Sequence, residues 1–389
     1  MTEWIECTLD KLGEIVGGAT PSTKCEDYYG GSIPWITPKD LSSFKGRYIT
    51  SGERNITETG LASCSAQMMP KGTVLFTSRA PIGYVAIASQ SVCTNQGFKS
   101  IVVNEKADPL FLYYLLKYNK DAIEAMGSGT TFKEVSGKTM RAVRVRIPLD
   151  VSYQKRIAAV LDSLDTKIEN NERINDNLLA QAQALFTQRF ITDDIEGNEK
   201  PLYDFADYIN GAAFKPSECG EHGLPIIKIV ELKNGITDST KYFDGFKGEK
   251  YLIQDKDILF SWSGNPDTSI DIFIWTHGRA ILNQHTFNVK SNTGHRWFTF
   301  LMLKHFKPEF SRIASNKQTT GLGHVTANDL KRLTFIFNET AIETFEQEIS
   351  PFMETIYSNM IENQRLEPLR DSLLPKLMSG EIDVSDVQL

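Results

Sequence analysis

The chain has 389 residues, with 42 Lys and Arg against 49 Asp and Glu, a formal net charge of −7. The length predicts two or three domains, and the apolar (41%) and charged (23%) fractions are those of an ordinary folded protein, which excludes a disordered chain, a collagen and a disulfide scaffold. An acidic total also runs against the basic excess usual for nucleic-acid binders, so the charge has to be followed segment by segment.

The opening MTEWIECTLDKLGEI has early acids and no apolar run, so no signal peptide is expected; no stretch of 18 apolar residues predicts a membrane span. Cys7, Cys25, Cys64, Cys93 and Cys219 are odd in number and widely spaced, with no Cys-x-x-Cys pair. A disulfide framework and a structural zinc site are disfavoured by that spacing, and reduced thiols in a cytosolic protein are expected.

Residues 1–150 form the first predicted domain. Short apolar or β-branched runs at 72–76, 84–88, 100–103 and 142–147 read as strands, and 108–118 repeats apolar residues on a helical period. No regular strand–helix alternation appears, so an α+β domain built on small sheets is expected, not a doubly wound sheet. Residues 151–192 follow as a long helix. Ile157, Leu164, Leu178 and Leu185 recur every seven residues with Asn171 in the same column, and Val160 and Ile174 give a second column. Heptads over that length predict a coiled coil, in a helix roughly 55 Å long.

Residues 200–338 repeat the first domain in the same order. LDKLGEIVGGATPS at 9–22 matches LYDFADYINGAAFKPS at 202–217, and IPWITPKDL at 33–41 matches LPIIKIVEL at 224–232. VLFT at 74–77 matches ILFS at 258–261, Asn95-Gln96 matches Asn283-Gln284, and LYYLLK at 112–117 matches TFLMLK at 299–304. Thr130-Thr131 and Thr319-Thr320 then open matching final segments. The preserved order marks an internal duplication. Each copy ends in a long helix. In the second, residues 339–382, Ile349, Ile356 and Leu377 share a column with Asn363 and Arg370, while Phe352, Leu366 and Leu373 form another. Pro351 falls near the predicted start of this helix, where proline is tolerated; Pro368 and Pro375 are expected to kink or limit it. An antiparallel pairing of the two helices brings Asn171 and Asn363 to the middle of the seam, where buried asparagines fix register.

Catalytic motifs are incomplete. Ser136-Gly137-Lys138-Thr139 ends like a phosphate loop, but Phe132 stands where its first glycine is required. Gly321-x-Gly323 has Thr326 in place of the third glycine. Asn265-Pro266-Asp267 lacks the second proline and the aromatic residue of an amino-methyltransferase motif, and Glu231-x-Lys233 lacks the preceding Pro-Asp of a nuclease motif. All six histidines lie in the second half, so the two copies do not share a histidine chemistry.

These pieces together resemble the specificity subunit of type I restriction–modification enzymes over essentially the whole chain. The residues that carry the resemblance are LDKLGEIVGGATPSTK, IPWITPKDL, KGTVLFTSRAPIGYVAIA, TNQGF and YYLLK, then the helix YQKRIAAVLDSLDTKIENNERINDNLLAQAQALF. NGAAFK, ILFSWSGN, LNQHTF and LRDSLLPKLMSGEI continue it in the second half. The resemblance implies two target-recognition domains separated by two helices that form an antiparallel coiled coil. It implies a non-catalytic subunit on double-stranded DNA, each domain reading half of a split site, with the helices setting the spacing. The partners it implies are two methyltransferase subunits and, through them, restriction subunits. No cofactor is expected on this chain; S-adenosylmethionine, ATP and Mg are expected on the partners.

The residues support that reading in their own right. A tandem repeat on helical spacers matches half-sites about one DNA turn, roughly 34 Å, apart. Equal frames with different loops, SRAPIG against WSGNPDTS, imply an asymmetric target. Phosphate contacts need Lys, Arg and hydroxyls, and base readout needs Arg, Lys, Asn, Gln and Thr. The candidates are Thr20, Ser22, Lys24, Lys39, Arg79, Lys133 and Lys138 in the first copy. In the second they are Lys215, Lys233, Trp262, Asn265, Lys317, Gln318 and His324. For any single one, a solvated surface role is the ordinary alternative. Gly17-Gly18 and Gly211 are read as backbone turns, and the Asn-Gln pairs as framework hydrogen bonding.

The charge also divides. Residues 1–150 carry 17 basic and 15 acidic side chains and residues 201–338 carry 16 and 14, while residues 151–200 carry 6 and 9 and residues 339–389 carry 3 and 11. The acidity therefore lies in the helices and tail, and both domains are mildly basic. Three alternatives remain at this level: a specificity subunit serving a type II enzyme with a fused methyltransferase–nuclease partner, a coiled-coil scaffold for proteins, and an autonomous nuclease or methyltransferase.

Overall fold

The computed structural model describes residues 2–129, 133–191, 197–318 and 322–387. The repeat markers Thr130-Thr131 and Thr319-Thr320, with Phe132 and Gly321, lie outside the described residues. The chain forms two units, residues 1–169 with 365–389, and residues 170–364. Each long helix is shared between them.

In the first unit, a five-stranded sheet runs in the order Gly13–Gly17, Lys99–Val103, Val74–Ser78, Ile82–Ala88, Tyr48–Ile49. It is antiparallel except at its last pair. A three-stranded sheet places Tyr29–Ile36 between Asn55–Ile56 and Cys93–Thr94, the latter pair parallel. Trp4–Thr8 and Arg144–Pro148 close the domain as an antiparallel pair. The helix Pro109–Tyr118 buries six consecutive residues, Phe111 to Leu116, against the larger sheet. Asp108 starts it: its Oδ1 accepts the N–H groups of Leu110 and Phe111 at 3.0 Å, and Pro109 occupies the first turn, where no amide is needed.

The second unit repeats these parts. Ala206–Asn210, Thr286–Ser291, Ile258–Ser261 and Asp271–Ile274 form one sheet. Leu224–Ile227 pairs parallel with Ala280–Leu282 in another, and Asn198–Pro201 closes on Thr334–Phe337. The helix Arg296–His305 stands where Pro109–Tyr118 does in the first copy. Here the helix start is capped from outside: Glu346 of the second long helix accepts the N–H groups of Trp297 and Phe298 at 3.1 and 2.7 Å. Phe186, Phe190, Phe298, Phe335 and Phe345 pack ring on ring in its core. The small-sheet α+β architecture expected from the sequence is the one observed.

The long helices are Val151–Phe190 and Glu339–Ser379. In the first unit Asp165 meets Arg370; in the second Asn171 meets Asn363, Asn175 meets Asn359 and Arg189 meets Glu348. Rising numbers on one helix face falling numbers on the other, so within each unit they pair antiparallel. Two expectations for these helices need correction. In the first helix Leu164, Leu178 and Leu185 are only half-buried and Ile174 is 43% exposed. The buried stripe runs instead through Ile157, Leu161, Asp165, Ile168, Asn171, Ala182, Phe186 and Phe190. The reason is geometric: a 3.6-residue helix drifts about 20° per heptad from a 3.5-residue seam, and the helix ends are buried by the domain cores.

The second correction concerns proline. The second helix begins at Glu339, so Pro351 is well inside it, and none of Pro351, Pro368 and Pro375 ends it. All three lie on the exposed side. The carbonyls they leave without a helical donor belong to Gln347 and Asp371, which are exposed, and Gln364, which is half-buried. Each interior proline costs about 3 kcal/mol, and burial of the opposite face offsets it.

Candidate nucleic-acid interface

The two units share one frame at their sheet edges. Asn95 N–H donates to Ile36 O at 3.0 Å, and Asn283 N–H donates to Ile227 O at 2.9 Å. Ala19 N–H donates to Thr94 O at 3.0 Å, and Ala212 N–H to Leu282 O at 2.8 Å. The preceding glycines make that approach possible. A Cβ on Gly18 would meet Asn95 O at 2.1 Å, and one on Gly211 would meet Asn283 O at 2.2 Å. The Asn95 carbonyl group of the side chain accepts Gly97 N–H at 2.9 Å. These matched pairs are framework, as the sequence predicts, and Thr20 joins them through a hydrogen bond from its hydroxyl to Gln96 Oε1.

A second shared bond carries the variable chemistry. Val135 N–H donates to Ser78 O at 3.0 Å in the first unit, and Val325 N–H donates to Trp262 O at 2.8 Å in the second. Arg79 and Ser263 therefore occupy equivalent places, as do Glu134 and His324. In the first unit Arg79 Nη1 lies 3.4 Å from Glu134 Oε2, and Lys99 Nζ lies 3.3 Å from Glu134 Oε1 and 3.4 Å from Ser78 Oγ. Lys133 and Lys138 are exposed beside this group. In the second unit Ser263 pairs with His324 across a short antiparallel bridge. The Trp262 ring lies 5.6 Å from that of Phe287 and 5.9 Å from that of His285, and its Nε1 donates to Asn210 Oδ1 at 3.2 Å. Asn265 opens the adjoining turn; its Oδ1 accepts the N–H groups of Asp267 and Thr268 at 3.0 and 3.1 Å.

The remaining candidates sit apart from these two groups. Lys39 lies in the helix Pro38–Ser42 and pairs with Glu53 at 2.7 Å. Ser22 and Lys24 are exposed in the loop before Glu26–Tyr28. Lys215 begins the turn Pro216–Glu218, and Lys233 lies in the last turn of Ile229–Asn234; both are exposed. Lys317 is committed to Asp329, whose carboxylate it meets at 2.5 Å and which also accepts Thr326 N–H at 2.7 Å. Gln318 is exposed next to it. Asn171 and Asn363 are both buried, and Asn171 Nδ2 donates to Asn363 Oδ1 and to Glu362 Oε2, each at 2.8 Å. Glu134 and Lys99, which the structure brings to Arg79, are not among the candidates read from the sequence; the Lys133-Glu134 step was the signal available. Among the described residues no cluster of His, Cys, Asp and Glu has the form of a metal site.

Comparison with known proteins places this frame. The sequence profile described as the type I restriction modification DNA specificity domain matches residues 1–180 and again 195–370. The chain belongs to the type I restriction–modification specificity subunits. It is 32% identical to the type I restriction enzyme MjaIX specificity subunit of Methanocaldococcus jannaschii, over 99% of this chain and 95% of that one. It is 29% identical to the EcoR124I/EcoR124II specificity subunit of Escherichia coli over 41% of this chain and 40% of that one. The crystal structure of a type I restriction-modification S subunit from M. genitalium shares the fold, with a TM-score of 0.63 at 15% identity, covering 97% of this chain and 96% of the other. The two matched segments fall one on each copy of the repeat, so each copy is a specificity domain. Among the described residues no helix is long and apolar enough to cross a membrane, and all five cysteines are free thiols.

Proposed function

We propose that this specificity subunit is the non-catalytic DNA reader of its complex, each unit reading one half of an asymmetric bipartite site in double-stranded DNA. The paired helices set the distance between the halves, and two methyltransferase subunits dock on them, with restriction subunits joining through those. S-adenosylmethionine, ATP and Mg2+ then belong to the partner subunits. The observation that carries this reading is the pair of equivalent edges. One frame presents Arg79, Lys99 and Glu134 in the first unit and Trp262, Ser263 and His324 in the second. A guanidinium suits guanine, whose O6 and N7 accept two donors in the major groove, whereas an indole and an imidazole make apolar and single hydrogen-bond contacts. Different chemistry on equal frames is what an asymmetric site requires.

Phosphate positioning falls to the exposed Ser22, Lys24, Lys133 and Lys138 of the first unit, and to Lys215, Lys233 and Gln318 of the second. Each recognition segment is only slightly basic, so much of the electrostatic attraction comes from the partner subunits. The test is Arg79→Ala and Trp262→Ala in the assembled complex, each read against a pool of randomised duplexes. Arg79→Ala relaxes one half of the motif and Trp262→Ala the other, at about 1–3 kcal/mol for a lost base contact. Two variants that select the parental motif unchanged would sink the reading. A partner that both methylates and cleaves, recovered with the chain, would instead identify the type II arrangement.

A further inference from the structure

We propose that Glu134 is a positioning residue for half-site recognition: its carboxylate holds the Arg79 guanidinium for a base edge and keeps it from the phosphates. The inference rests on the reading of Arg79 as a base contact. Glu134 is well fixed for that role. Its N–H donates to Ser128 O at 2.9 Å and its carbonyl accepts Ser128 N–H at 3.0 Å, while the next residue, Val135, is fully buried. One carboxylate oxygen faces Lys99, whose side chain is 15% exposed, and the other faces Arg79. Lys99 thus anchors the carboxylate, and the carboxylate orients the arginine.

The 3.4 Å contact from Nη1 leaves most of the five-donor fork uncommitted, so two parallel bonds to a guanine remain available. Phosphate contact is penalised, because a fixed negative charge beside the guanidinium repels the phosphate oxygens. The carboxylate is not needed for the frame. The second unit keeps the same backbone bond, from Val325 to Trp262, with His324 in the place of Glu134 and Ser263 in the place of Arg79. Phe287 stands where Lys99 does, since it faces Asn210 in register as Lys99 faces Gly17. The acid therefore accompanies the arginine and the lysine, not the fold.

The experiment compares the parent, Glu134→Gln, Arg79→Ala and the double variant, each as the full chain with its modification subunits. The probes are a pool of randomised duplexes and one scrambled duplex over a salt series. Removal of the charge frees Arg79 for phosphate: affinity for the scrambled duplex rises about threefold or more at low salt, and the log–log salt slope steepens by about 1. Selection at one position of one half-site weakens about tenfold, the other half-site is unchanged, and Glu134→Gln has no further effect once Arg79 is alanine. An unchanged motif with an unchanged slope overturns the proposal. So does a uniform loss of binding to all sequences, or an equal effect of Glu134→Gln in the Arg79→Ala background. A parent complex that selects no motif overturns the DNA-reading account itself, which separates the two failures.

Discussion

Arg370 of the second long helix places its Nη1 2.8 Å from Oδ1 of Asp165 on the first, in a column where the heptad calls for an apolar side chain. The other oxygen of Asp165 accepts the Tyr114 hydroxyl at 2.8 Å, so a recognition-domain helix joins the same carboxylate. Arg47 completes the group, with Nη2 donating to Thr166 Oγ1 at 2.8 Å and lying 3.3 Å from Glu169. Its Nε is 3.1 Å from Asp162 Oδ1, a charge contact out of line for a hydrogen bond. Burial works against the charge of Arg370, yet its hydrogen bonds to Asp165 and Asp371 hold the proton more tightly than usual. Burial likewise pushes the Tyr114 hydroxyl up, helped by Asp165. Asp165→Asn removes the ionised acceptor shared by Arg370 and Tyr114, while Arg47 keeps Asp162 and Glu169 and Arg370 keeps Asp371, so it should cost about 1–3 kcal/mol in urea unfolding. A loss below 1 kcal/mol would show that the network contributes little.

The Asn171–Asn363 pair gives a different outcome for single and double replacement. Asn171→Val alone leaves the Asn363 amide buried without this partner, at about 1–3 kcal/mol. Replacing both with Val restores or raises the melting temperature, because a buried polar pair becomes an apolar one, but admits alternative helix pairings. Thermal unfolding and sedimentation check this together. A double variant that keeps the parental oligomeric state, whatever its melting temperature, would remove the register role.

The glycines read from the sequence as turns are not turns: Gly17 ends the strand Gly13–Gly17, and Gly18 and Gly211 mark close approaches of backbone. Nothing lies within 4 Å of a Cβ on Gly17, whereas one on Gly18 meets two carbonyl oxygens, of Asn95 and Thr94, at 2.1 and 2.2 Å. Gly17→Ala should stay within about 0.5 kcal/mol of the parent, and Gly18→Ala and Gly211→Ala should each lose about 1–3 kcal/mol or more, since backbone has to move. Equal stabilities for Gly17→Ala and Gly18→Ala would contradict the frame described at the sheet edge of the first unit.

Asp271 provides a pH dependence. Burial pushes its carboxyl up, but Lys304 at 2.7 Å and Lys307 at 2.9 Å outweigh that and hold it below the usual carboxylate range. A carboxyl depressed on folding contributes stability that is present above its unfolded pKa, about 3.9, and is lost as pH falls through the folded value. Asp329 is depressed in the same direction, where burial is outweighed by Lys317 and Thr326. Denaturant midpoints should therefore fall steeply below about pH 4, and the slope should flatten in Asp271→Asn. A variant with the parental acid slope would show that Asp271 is not one of the groups responsible.

Much of this was legible in the sequence because repeated patterns encode repeated packing. The matches of 33–41 with 224–232 and of Asn95-Gln96 with Asn283-Gln284 fall on equivalent strands and equivalent hydrogen bonds. The predicted strands and the helix Pro109–Tyr118 lie within a few residues of those observed. What escaped the pattern was set by tertiary partners. Ile174 reads as a seam residue by heptad count, but the seam drifts and leaves it exposed. Pro368 and Pro375 read as residues that kink or limit the helix, but it runs on past both to Ser379, with each on the outer face. Lys317 reads as a DNA-contact candidate, and the pattern gives no sign that Asp329, twelve residues on, pairs with its ammonium group. Glu134 carries the wrong charge for a DNA contact as read from sequence, and its pairing with Arg79 and Lys99 is set only by the fold.

As proposed, this chain dictates a split, asymmetric DNA motif. The most direct measurement maps methylated bases across the genome in cells that express the modification subunits, with and without this gene. The account predicts that one bipartite motif with two unlike halves is methylated only when the gene is present, and that Arg79→Ala degrades one half of it. Identical methylation with and without the gene would contradict the account.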